Sequence, residues 1–121
     1  MSVLVWVAVV IIGGAGSVLR FAVDRAVASR AGRDFPFGTL AINLSGALIL
    51  GFVGGLTLSH NQALLAGTAA VGSYTTFSTW MFETERLAQD RELGRAAANV
   101  VVSLVFGVAA AALGQWIGGR L

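Results

Sequence analysis

Four long apolar runs, at roughly Val3–Val23, Phe37–Leu58, Ala63–Phe82 and Ala96–Gly118, constrain this chain more than any other feature. Each holds about 20 residues, and at ~1.5 Å of rise per residue a helix of that length crosses a ~30 Å hydrocarbon core. The runs lack the period-two alternation of a membrane strand, which argues against a β-barrel. Only 12% of the residues are charged, against about a quarter in a soluble domain. The first run has no Lys or Arg before it and is long for a signal peptide, so it is expected to stay as a span. The sequence predicts one all-α, multi-pass membrane domain over residues 1–121, with four transmembrane helices bathed in membrane lipid.

Several functions are excluded at once. Cysteine is absent, which removes disulfides and thiolate metal sites. The single histidine, His60, cannot build a triad or a metal centre alone, and no nucleophile–base pair stands out, so the chain is not read as an enzyme. The basic residues are all Arg and cluster at the ends of the runs, where lipid headgroups meet them, which is no nucleic-acid surface. The connections are Asp24–Pro36, Ser59–Gln62 and Glu83–Arg95, short enough to make neighbouring helices antiparallel. Pro36, preceded by Asp34 as a possible cap, marks the start of the second helix, where a missing N–H costs nothing. With four crossings the first and third connections share one side of the membrane. They hold Arg25, Arg30, Arg33, Arg86, Arg91 and Arg95, against Arg120 alone on the other side. Carboxylates accompany these Arg, but the positive-inside rule counts only Lys and Arg. The Arg-rich connections are therefore expected in the cytoplasm, with the chain in the cell's inner (plasma) membrane.

Small and polar residues recur every fourth position. Thr39, Asn43, Ala47, Gly51 and Gly55 form one face of the second helix, and Asn99, Ser103, Gly107, Ala111 and Gln115 one face of the fourth. Small residues let membrane helices approach, and polar ones hydrogen-bond across the contact, so packing is the first reading of both stripes. Asn43 reads equally as a packing bond or as the lining of a pathway, since an amide at membrane depth needs a partner. Arg20 and Asp24 line up on the first helix. Arg20 is read as an anchor that snorkels or pairs with Asp24, although a fixed positive charge at a pathway mouth favours anions.

The third run carries the oddest segment, Gly72-Ser73-Tyr74-Thr75-Thr76-Phe77-Ser78-Thr79-Trp80. Its first five residues are poor helix formers. A break there would free backbone groups, which a bilayer tolerates only where they are buried or line a cavity. The competing reading is an intact helix whose hydroxyls bond back to the preceding turn. Beyond it, Phe77 and Trp80 share a face, with Thr76 and Thr79 beside them, and ring edges carry partial positive charge that a small anion can meet.

Three segments resemble the Fluc family of fluoride channels: Gly13-Gly14-Ala15-Gly16-Ser17-Val18-Leu19-Arg20, Phe37-Gly38-Thr39-Leu40-Ala41-Ile42-Asn43-Leu44-Ser45-Gly46, and Gly72 through Glu83. The resemblance implies a fluoride-selective channel that exports fluoride passively and protects against its toxicity. It implies an antiparallel dimer with two pathways, a break in the third helix, and a sodium ion on the dimer axis. It assigns Phe77 as the ring edge offered to fluoride, Asn43 as an amide donor, Arg20 to a vestibule, and Ser103 with Thr76 or Thr79 to a polar track. Carbonyls of Gly72 and Thr75 would bind the sodium, and Glu83 would stand near a pore mouth. Trp80 stands where the family usually has a second Phe and is expected on the same wall, bringing an indole N–H. Asn99 stands where a track tyrosine is usual. The Arg bias leaves the partner open: the same chain inverted, or an inverted homologue, with the latter favoured. A small dual-orientation multidrug or cation transporter is the alternative, but it needs an acidic residue within the first helix, where Asp24 comes only at the end.

Overall fold

The computed structural model describes residues 2–121, and among these it contains helices and connections but no strand. Helix α1 spans Val3–Ala31, α2 Phe37–Gly55, α3 His60–Ala63, α4 Gly72–Tyr74, α5 Ser78–Gln89 and α6 Leu93–Gly118, with a π-helical segment at Leu64–Val71 joining α3 to α4. Three of them, α1, α2 and α6, are long and apolar enough to cross a membrane. The third apolar run is shared among the shorter elements from α3 to α5.

Helices α1, α5 and α6 overrun the apolar runs that announce them. The first run ends at Val23, yet α1 continues to Ala31, because Asp24–Ala31 is rich in Ala and Arg, both strong helix formers. The charges there mark an edge of the apolar zone and not the end of the helix. Gly32 stops it: its φ of 77° is left-handed, and its N–H returns to the Ala28 carbonyl. At 29 residues, α1 is ~43 Å long, well beyond a ~30 Å core. Helix α5 likewise runs on to Gln89, and Arg91, with φ 61°, turns the chain into α6. Helix α2 stops at Gly55, short of Leu58. Its successor α3 starts from a capping box, in which the Ser59 hydroxyl accepts from the Gln62 N–H and the Gln62 side chain accepts from the Ser59 N–H.

The small-residue stripes meet each other. A Cβ built on Gly51 would collide with the Ala111 carbonyl, and one on Gly55 with the Gln115 carbonyl and Gly119 amide. From the other side, Gly114 faces the Leu48 carbonyl and Gly118 the Phe52 carbonyl. Helices α2 and α6 thus touch backbone to backbone, which is the close approach that small residues permit in a bilayer. Gly16 does the same for α1, lying against the Ser73 side chain and the Ala70 carbonyl. Large apolar side chains face outward instead: Val3, Val10 and Val18 on α1, Val101, Val105 and Val108 on α6. This inversion, small inside and large outside, suits lipid as solvent.

These contacts predict a sharp contrast between glycines of one helix. Gly51→Val and Gly114→Val should each lower stability by about 1–3 kcal/mol or more, since backbone cannot move aside as a side chain can. Gly54→Ala, with open space around its Cβ, should be neutral or slightly stabilising. Thermal melts of detergent-purified protein would measure both.

Candidate functional site

The site is built around three residues, Thr75–Phe77, between the end of α4 and the start of α5. Thr75 is extended, with ψ 162°. Before it the hydroxyls do bond back to the helix: Ser73 Oγ donates to the Ala69 carbonyl at 2.6 Å and Thr75 Oγ1 to that of Val71 at 3.0 Å. Gly72–Tyr74 is therefore helical, and the departure falls later, at Thr75. Tyr74 is buried there, its hydroxyl 2.9 Å from that of Ser45 on α2.

Asn43 on α2 meets this junction as a strand would. Its Nδ2 donates to the Thr76 carbonyl at 2.8 Å, and its Oδ1 accepts from the Thr76 N–H at 2.9 Å. One side-chain amide thus satisfies both backbone groups of Thr76. The Thr76 hydroxyl in turn accepts from the Thr79 N–H at 3.1 Å, covering an open donor at the start of α5. Both bonds have a consequence for the carbonyls behind them. In a continuous α-helix the N–H of Thr76 would donate to Gly72, and that of Thr79 to Thr75. Here both donors are turned elsewhere, so the Gly72 and Thr75 carbonyls lose those partners.

A cavity of about 420 Å³ opens beside the junction, walled by Asn43, Thr75, Thr76, Phe77, Trp80 and Ser103 together with apolar and glycine positions of α2 and α6. Its lining holds no charged side chain. The Phe77 and Trp80 rings stand edge to face, with centroids 5.8 Å apart and planes at 82°. Phe77 is 70% exposed on the protomer, and Thr79 is exposed as well. Of the residues nominated from sequence, the fold gathers Asn43, Thr76, Phe77, Trp80 and Ser103 in this cavity. Thr79 and Arg20 are not among its walls. Arg20 lies half-buried on α1, and the ion-pair partner of Asp24 is Arg33, at 3.4 Å. Gly72 joins Thr75 in a second, open depression of about 490 Å³ that shares Leu50, Val71 and Thr75 with the first.

Donors left over define what the cavity can hold. Asn43 Nδ2 carries two hydrogens, and the Thr76 carbonyl engages one of them. The Ser103 hydroxyl is buried and has no hydrogen-bond partner among the described residues. With no carboxylate on the walls, these donors and the Phe77 ring edge suit an anion or water. Behind them lies a network that the sequence did not announce. Asn99, fully buried, donates to the Thr84 hydroxyl at 2.8 Å and to the Trp80 carbonyl at 3.4 Å, tying α6 to α5. Thr84 is missed in a sequence reading because it lies outside every stripe. Further out, Glu83 accepts from the buried Thr39 hydroxyl. Burial pushes its carboxyl above the usual range, the Thr39 bond opposes that rise, nearby Asp24 adds to it, and Arg33 and Arg86 counter it.

An uncharged, aromatic-walled cavity at a junction of helix ends, inside an all-helical membrane protein, marks a class of membrane proteins that handle small solutes. The particular family follows from comparison. Residues 7–115 match the family model described as CrcB-like protein, Camphor Resistance (CrcB), and the chain belongs to that family. It is 67% identical over 114 residues, 94% of this chain and 93% of the relative, to a protein of Mycolicibacterium paratuberculosis named fluoride-specific ion channel FluC 2. A protein of the same name from Mycobacterium tuberculosis (strain ATCC 25618 / H37Rv) is 61% identical over 117 residues, 97% of this chain and 93% of that one. A fluoride-specific ion channel FluC 1 from Leifsonia xyli subsp. xyli is 44% identical over 124 residues, covering 98% and 90%.

The Asn43–Thr76 pair yields a stability prediction. Asn43→Leu keeps the branched shape but leaves the Thr76 N–H and carbonyl unpaired, at about 1–3 kcal/mol each. Asn43→Asp retains the acceptor but turns a second oxygen toward the Thr76 carbonyl, so it too should fall below wild type. Chemical unfolding in detergent, followed by far-UV circular dichroism, would rank the three.

Proposed function

We propose that the chain is one subunit of a fluoride-selective ion channel, through which fluoride leaves the cytoplasm down its gradient without any catalysed chemistry. The observation that carries this is the gathering of Asn43, Thr76, Phe77, Trp80 and Ser103 around one uncharged cavity in a chain so similar to proteins named fluoride-specific channels. Fluoride is small and strongly hydrated, so a pathway must replace its water with close, weakly charged donors. The second N–H of Asn43, the hydroxyl of Ser103 and the edge of Phe77 are donors of that kind. Thr76 acts by shaping the junction. Thr79 and Arg20 lie away from this cavity and would act at its approaches.

The finer features are part of the same reading. Phe77 faces out of the protomer and the cavity is open, which supports a second subunit that closes the pathway in an antiparallel dimer. The third crossing is read as a broken helix at Thr75–Phe77. The Gly72 and Thr75 carbonyls, deprived of their i+4 donors, fit a sodium ion. If bound, it would supply fixed positive charge beside the pathways, held by those carbonyls from both subunits. The Arg-rich connections are placed in the cytoplasm and the chain in the inner membrane. That bias, six Arg against one, opposes inversion of an identical copy and favours an inverted homologue as partner. The transporter alternative finds no support: Asp24, the only carboxylate of α1, pairs with Arg33, and the relatives are named as channels.

Fluoride efflux from liposomes, followed with a fluoride electrode beside a chloride control, tests the reading. Fluoride should leave and chloride should be retained, either with this chain alone or once an inverted homologue is supplied. Phe77→Ile should cut fluoride flux by at least about tenfold, the loss that ~1.4 kcal/mol at the ring edge implies. Flux of both anions, or of neither with the homologue present, would refute it.

A further inference from the structure

The indole of Trp80 has a donor that the cavity does not receive. Its Nε1–H donates to the Asn99 main-chain carbonyl at 3.0 Å, while the ring stands edge to face with Phe77. The bond is reinforced from behind, since the Asn99 side chain donates to the Trp80 carbonyl and to the Thr84 hydroxyl. The Thr84 hydroxyl itself donates to the Trp80 carbonyl at 2.9 Å. The lock therefore holds both the ring and the main chain of Trp80, and its central member, Asn99, is fully buried.

We infer that Trp80 is a fixed wall that sets the bore of the pathway without donating to the ion, and that Asn99 is the positioning residue that holds it there. A phenylalanine has no group to bond to Asn99 and leaves its ring free to move. Tryptophan at this position brings both bulk and an anchor, and the anchor takes up the one new donor that the larger ring adds. The anion's aromatic contact on this subunit is then Phe77 alone. Selection at Trp80 is by size, and it depends on how firmly Asn99 keeps the indole back. This deepens the channel reading and rests on it.

Two experiments test the inference separately from the channel reading. The first needs no flux. Indole ¹⁵N–¹H spectra of the full chain in nanodiscs, with its three Trp signals assigned through Trp6→Phe and Trp116→Phe, report the Trp80 donor directly. Its signal should be protected from exchange with D₂O and stay fixed during a fluoride titration. A saturable shift with fluoride would overturn the inference. Asn99→Val keeps the main-chain acceptor but loses the side-chain bonds that align it, so it should weaken that protection without abolishing it. The second is flux against fluoride concentration. Trp80→Phe should change maximal flux severalfold while leaving the half-saturating concentration within about twofold. A rise of about tenfold or more, as loss of a hydrogen bond to the ion implies, would refute it. Asn99→Val should alter flux strongly in the native background and much less in Trp80→Phe, where only its bonds to the residue 80 carbonyl and Thr84 remain to be lost. Equal effects in both would show that Asn99 does not act through the indole.

Discussion

The structure depends on one amide. A bilayer supplies no water to a main-chain group that leaves its helix, so each such group must find a partner within the protein. Asn43 provides this at Thr76, accepting from its N–H and donating to its carbonyl. Without that pair the chain could leave the helical path at Thr75 only by exposing polar backbone. With it, the departure becomes affordable, and everything that lines the cavity follows from where α5 restarts.

The support is built in layers. Helices α2 and α6 form a frame through direct backbone contact at Gly51, Gly55, Gly114 and Gly118. Asn43 holds the junction to one side of that frame, and Asn99 holds the start of α5 to the other. The cavity lies between two amide clamps, one on each helix of the rigid pair. Its polar walls are fixed by groups with partners already, so the donors that remain free are few and well separated from carboxylates.

Much of the frame was legible in the sequence. Three of the apolar runs announced α1, α2 and α6, and the four-residue stripes announced the faces on which α2 and α6 meet, because in lipid close packing selects small residues. Helix ends were less legible: Asp24 and Glu83 mark where the apolar runs stop, whereas Gly32 and Arg91 mark where the helices do. The cavity's members were legible as residue types, but their division of labour was not. Asn43 reads in sequence as either a packing bond or a pathway lining, and in space it bonds backbone while one amide hydrogen stays free. The hydroxyls of Ser73 and Thr75 look available and bond back one turn. Trp80, Asn99 and Thr84 form one unit only when α5 and α6 are laid side by side, a contact that no spacing along the chain encodes.

The backbone contact between α2 and α6 also shapes how such a protein can change over generations. Where carbonyl meets glycine, no intermediate side chain exists, so a lineage cannot widen or narrow the gap by small steps. That wall is frozen. Variation in calibre is left to the facing side, on α5, where a ring can be exchanged for another while the main-chain acceptor on α6 stays in place. Position 80 is thus expected to drift across related chains, while positions 51 and 114 stand still.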